Sequence, residues 1–134
     1  MTRTLAVLAL VLGLGAGTAA AQGSGFPDTP PGRLAAAFFA AANSADEEAL
    51  SRFQETNFTE SALKRRSASE RKALNRQLRA DAGRLSLIAV QSSSATQLVA
   101  RASGSATPGT TWRITFAFTA GPAPKIDSVQ ITPE

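Results

Sequence analysis

The ten residues from Thr110 to Thr119 constrain this chain more than any other stretch. Trp112, Ile114, Phe116 and Phe118 alternate there with Arg113, Thr115, Ala117 and Thr119, the period of a strand with one face buried and the other wet. A face that carries two Phe, an Ile and the only Trp of the chain must be covered. Helices made from the preceding residues are the available cover.

Those helices are legible from their ends. Thr29 followed by Pro30 and Pro31 is a helix start, because a Thr side chain caps orphan amides and Pro is tolerated in the first turn. A first helix then runs to about Asn43, with Leu34, Phe38 and Ala41 at helical spacing and Phe39 widening the stripe. Ser44-Ala45-Asp46-Glu47 reads as a capping box, so a second helix is expected within a residue or two of the first, carrying Ala49, Leu50 and Phe53 inward and fading at Thr56-Asn57. A short helical turn around Glu60 to Arg65 buries Phe58 and Leu63. Ser67-Ala68-Ser69-Glu70 repeats the capping pattern, and Gly83 closes a longer helix whose inner positions are Leu74, Leu78 and Ala82.

From Leu85 the period changes. Leu85 to Val90 is β-rich, Ser92-Ser93-Ser94 makes a turn, and Thr96 to Ala102 alternates around Leu98 and Ala100. A loop from Gly104 to Gly109 leads into the organising strand, and Gly121-Pro122-Ala123-Pro124 breaks the chain before a last strand, Lys125 to Thr132, with Asp127, Val129 and Ile131 on one face. Helices followed by strands at hairpin spacing give an α+β roll: a curved antiparallel sheet of about four strands with helices on its concave side. The expected core is Leu34, Phe38, Leu50, Phe53, Leu74, Leu78, Leu87, Trp112, Ile114, Phe116 and Val129.

With 134 residues there is room for one domain and one core. Arg3, the apolar run Leu5 to Leu14 and Ala19-Ala20-Ala21 form a secretory signal peptide over 1–21 with cleavage near Ala21. The run is shorter than the ~20 residues that span a bilayer, so the mature form is expected to have no transmembrane segment and to be periplasmic or secreted. A flexible Gly/Ser/Pro leader is expected over 22–29, and the roll over 30–134.

The chain has no Cys, His or Tyr. Disulfides, thiol chemistry, the commonest zinc ligand and the usual general base are thereby excluded, and neither a cofactor nor a metal is expected. The net charge is +4, or +3 once Arg3 is removed with the signal. Eight basic residues, Lys64, Arg65, Arg66, Arg71, Lys72, Arg76, Arg79 and Arg84, stand against Glu70 and Asp81 in one segment. Clustered Arg invites a nucleic-acid reading, but export and the absence of interleaved aromatics favour a solvated helix face opposite Leu74 and Leu78, and no nucleic-acid partner is expected.

The order of Phe38-Phe39, the Asn43-Ser44-Ala45-Asp46 corner, Leu50 and Phe53, a further helix and a four-stranded meander resembles the nuclear transport factor 2-like superfamily of cone-shaped α+β domains, also described as cystatin-like rolls. More narrowly, Asn57-Phe58, Ala62-Leu63, Arg65-Arg66-Ser67, Glu70-Arg71, the Leu85/Leu87 strand and the closing Pro124-Lys125-Ile126-Asp127-x-Val129-x-Ile131 are similar to the small N-terminal accessory domain of some exported bacterial serine hydrolases and peptidases. The likeness spans about Arg33 to Glu134. It implies the accessory domain alone, with a separately encoded catalytic companion. Enzymes of the superfamily take small apolar substrates in the mouth of the cone and use a buried Asp, often beside Tyr, His or Arg; this chain has no Tyr or His for that role.

No catalytic residue is assigned. Asp127 is the candidate, since it shares a strand face with Val129 and Ile131, although a strand-end Asp beside Pro124-Lys125 also fits a turn or a pair with a neighbouring base. Asp46, Glu47 and Glu48 fit a helix first turn, where carboxylates complement the dipole. The expected function is therefore an exported, non-catalytic accessory or binding module for a protein partner or a small apolar ligand. The alternative is a small lyase or isomerase working with one buried carboxylate. A partly uncovered sheet face bearing Arg101, Arg113 and Thr115 is the expected contact surface, for self-association or for a separately encoded hydrolase or envelope protein.

Overall fold

The computed structural model describes residues 25–134; the expected signal peptide over 1–21, its expected cleavage site and residues 22–24 of the expected leader lie outside the described residues. Among the described residues four helices precede four strands: α1 Pro30–Ala42, α2 Ala49–Asn57, α3 Glu60–Arg65, α4 Ala68–Ala82, then β1 Leu85–Ser93, β2 Gln97–Gly104, β3 Thr111–Phe118 and β4 Ile126–Pro133. The strands form one antiparallel sheet in the order β1-β2-β3-β4. This is the α+β roll expected from the sequence, its curved sheet open at both edges.

The helix ends follow side-chain chemistry. The Thr29 hydroxyl accepts from the Gly32 N–H, Thr59 from Ala62, and Ser67 with Glu70 completes a reciprocal capping box. The second expected box does not form. Glu48 is the N-cap of α2 without a side-chain bond, because Ser44 and Asp46 each turn the chain locally, accepting from the N–H of Asp46 and of Glu48. The α1–α2 corner is consequently longer than expected, and Asp46 pairs with Arg52 at 2.5 Å, a hydrogen bond that lowers the Asp46 pKa.

β3 presents Ile114, Phe116 and Phe118 to the core and leaves Arg113 exposed, as its alternation requires. Opposite it, β2 offers Leu98, Ala100 and Ala102, all fully buried. These two Ala and the buried Gly104 keep the sheet surface low, so α1 lies close to β1 and β2. Phe38 of α1 then meets Phe116 edge-on at 5.4 Å and Phe53 at 5.9 Å.

The leader is not loose where it is described. Phe26 packs edge-on against Phe39 at 5.0 Å, and a Cβ on Gly32 would fall 1.9 Å from the Pro27 carbonyl oxygen. The core list also needs correction. Leu85, Leu98, Phe118 and Ile126 are buried, whereas Leu74 is 42% exposed. Register explains part of this: β1 shifts between Leu87 and Ala89, which puts Val90 against the core and leaves Ile88 53% exposed.

Candidate functional site

A cleft of about 830 Å³ opens between the helices and the β4 side of the sheet, within the range of ligand pockets. It exists because α4 is seated on the sheet at its C-terminal end and its burial falls off from Ala82 through Leu78 to Leu74. Ala82 is fully buried, and its carbonyl lies where a Cβ on Gly104 would meet it at 2.4 Å. Toward its N-terminus the helix stands off the sheet, Leu78 is half-buried and Leu74 is exposed.

The cleft is lined by apolar groups, Phe38, Phe58, Ala62, Leu74, Leu78, Trp112, Val129 and Ile131 among them. Trp112 is held in orientation by its indole N–H, which donates to the Thr107 hydroxyl at 3.1 Å. On the helical wall, Gln54 and Asn75 exchange two hydrogen bonds, each 3.0 Å, and Asn75 also reaches Ser51. This amide pair fastens α2 to α4 with its own polar groups satisfied, so it stiffens the wall. Among the described residues no buried side-chain polar atom lacks a partner, and no cluster of three or more His, Cys, Asp or Glu is placed to hold a metal ion.

Three arginines, Arg65, Arg66 and Arg71, gather at the α3 end. Arg71 donates from Nη1 to the carbonyls of Leu63 (3.0 Å) and Arg66 (2.7 Å), which fixes its guanidinium against the end of α3. Arg65 donates to the backbone carbonyl of Asp127 and approaches its carboxylate at 3.9 Å. No described residue forms an ion pair with Arg66.

Asp127, the candidate acid, lies on the lip of this cleft. The register between β3 and β4 steps from Ala117–Ser128 to Phe118–Ile126, so Asp127 is the extra residue of a bulge and fully buried Ile126 takes the core position. The Asp127 side chain is 46% exposed and accepts from the Thr59 hydroxyl at 2.9 Å. Thr59 thus caps α3 and holds Asp127 with the same oxygen. The expected shared face of Asp127, Val129 and Ile131 is therefore kept only in that all three border the cleft.

The other expected features are placed differently. Arg79 is half-buried and donates to the Ser44 carbonyl at 2.7 Å, so Arg71 and Arg79 are ties between elements and not a solvated face. On the sheet's outer face Arg101 pairs with Arg113 across β2 and β3. Both are bound by Glu134, at 2.9 Å each, and these hydrogen bonds, Arg101's first, lower the Glu134 pKa. Arg101, Arg113 and Thr115 are therefore not a uniformly open patch: the two arginines share the one Glu134 carboxylate and Thr115 is half-buried. Sequence reasoning missed the cleft lining of Leu74, Gln54 and Asn75. The detectable signal was a polar Asn75 beside Leu74 and Leu78 on a helix expected to bury that side.

No helix among the described residues is long and apolar enough to cross a membrane. Comparison with protein families, with characterised proteins and with solved structures yields no match to this chain.

Proposed function

We propose that this protein is an exported binding module that holds a small apolar ligand in the cleft between α4 and β4. The observation that carries the reading is the stand-off of α4, which leaves Leu74 exposed beside Trp112, Val129 and Ile131 in a cavity of ligand size. Binding is favoured over turnover because the one acidic candidate, Asp127, is half-exposed and engaged by Thr59 and Arg65. A general base needs to reach its substrate in a desolvated setting. The likeness to the accessory domains of exported hydrolases supports the same reading, with a catalytic partner on a separate chain.

Trp112 is the sole tryptophan and lines the cleft, so its emission reports occupancy directly. Titration with dodecanol below its solubility limit is expected to shift that emission saturably. Leu74→Arg, at an exposed position, is expected to weaken binding at least about tenfold, equivalent to roughly 1.4 kcal/mol. An emission spectrum indifferent to dodecanol would remove the ligand-binding reading. Export has its own check: the intact mass of protein recovered from the cell envelope should correspond to a chain beginning at Gln22, and a dominant species retaining Met1 would contradict it.

A further inference from the structure

We infer that the ligand is an anionic amphiphile, a single-chain carboxylate of the fatty-acid type, bound with its head at Arg66 and Arg71 and its tail along Leu74, Leu78 and Trp112. The inference rests on the ligand-binding reading above and adds polarity to it. The cleft is not uniformly lined. Its cationic groups, Arg65, Arg66 and Arg71, belong to α3, its trailing turn and the start of α4, while its apolar floor continues along α4 to Trp112.

Charge neutralisation within the fold is incomplete at that end. Of the neighbouring bases, Lys64 is paired with Glu60 at 2.8 Å and Arg65 is turned toward Asp127. Arg66 has no ion-pair partner among the described residues, and Arg71 is bound only through Nη1 to carbonyl groups. A guanidinium has five N–H donors, so Arg71 is held in place with Nε and Nη2 in reserve. A fixed fork with unspent donors suits a carboxylate better than a mobile lysine would.

The two acids of the lining do not cancel this field. Asp127 is occupied by Thr59 and Arg65. Asp81 lies ten residues beyond Arg71 on α4, about 15 Å along the axis at 1.5 Å per residue. The cleft is thus cationic at one end, carries an apolar strip of Leu74, Leu78 and Trp112 flanked by Gln54, Asn75, Gln77 and Ser128, and has Asp81 toward the other end, an arrangement that orients a molecule charged at one end. Glu70, the remaining acid near the cationic end, is held first by the Ser67 backbone N–H; Arg66 attracts it more weakly and from beyond ion-pair distance, so Glu70 offsets the Arg66 charge only in part.

Trp112 emission under titration with dodecanoate, dodecanol and dodecyltrimethylammonium, each below its micellar concentration, tests the inference. Dodecanoate is expected to bind at least about tenfold more tightly than dodecanol and the ammonium most weakly, with the preference shrinking as salt screens the charges. Arg66→Gln is expected to collapse the dodecanoate-to-dodecanol ratio. Arg76→Gln, the same charge change on an exposed position of α4 outside the cleft, is expected to preserve it. Equal affinities for dodecanoate and dodecanol, or a ratio that Arg66→Gln and Arg76→Gln alter alike, would overturn the carboxylate assignment while leaving an apolar cleft in place. Failure of all three probes would instead strike the ligand-binding reading on which it rests.

Discussion

Phe116→Ala is expected to destabilise the domain by about 3–5 kcal/mol, a large share of the roughly 5–15 kcal/mol that holds a domain folded. Phe116 is 0% exposed. It stands where three elements meet: Leu98 and Val129 flank it across the sheet, Phe38 of α1 meets its ring at 5.4 Å, and Phe118 stacks at 6.0 Å. Deleting the ring removes the buried surface and leaves a cavity that neighbours on rigid strands cannot fill. At roughly 4–8 °C per kcal/mol for a domain of this size, thermal denaturation should register a fall of at least about 12 °C. Thr115→Ala, one residue away on the outer face, should stay within about 0.5 kcal/mol. A Phe116→Ala midpoint within a degree or two of the parent would mean that the core is organised elsewhere.

That contrast between neighbours is the kind of information the sequence carried well. Alternation over β3, the capping chemistry at Thr29 and Ser67 and the Gly83 stop are local signals, and each element they mark is present. What escaped was set by pairing between distant segments. The bulge that puts Ile126 in the core and Asp127 on the lip depends on how β4 registers with β3, which no property of residues 125–132 alone determines. Likewise, Leu74 and Leu78 have the spacing of an inner helix face, but helical spacing does not say whether a sheet lies opposite. The cleft arises from that difference. The corner at Asn43 is a third case: its side chain accepts from the Leu85 N–H and donates to the Leu85 carbonyl, both at 2.8 Å. Asn43 thus stands in for a neighbouring strand at the edge of β1, forty-two residues away.

The anchored end of α4 leads to the second large effect. Gly83→Ala is expected to cost about 2–6 kcal/mol, from two sources that a companion variant separates. The first is backbone strain: Gly83 has φ 73 and ψ −140, a conformation nearly reserved for glycine, and occupying it with an L side chain costs about 1–3 kcal/mol. The second is overlap. A Cβ there would lie 2.3 Å from Ser105 Oγ and 2.8 Å from the Ala106 nitrogen, and forcing extra volume into a packed site costs about 1–3 kcal/mol. The neighbours have little freedom to yield, because Ser105 Oγ accepts from the Arg84 N–H at 2.8 Å and the Ala106 N–H donates to the Ala82 carbonyl at 3.0 Å. Gly109 provides the comparison, with φ 87 and nothing within 4 Å of an added Cβ; Gly109→Ala should show the strain without the overlap. Denaturant unfolding of both variants should therefore place Gly83→Ala below Gly109→Ala by at least about 1 kcal/mol. The loss should extend to the Trp112 emission of the native state, since the same corner seats Ala82 against Gly104 beside the indole. Equal losses for the two variants, with native Trp112 emission unchanged in both, would mean that the α4–β1 corner is pliant and that the helix is held over the cleft by its ties to α2, to the end of α3 and to the α1–α2 corner.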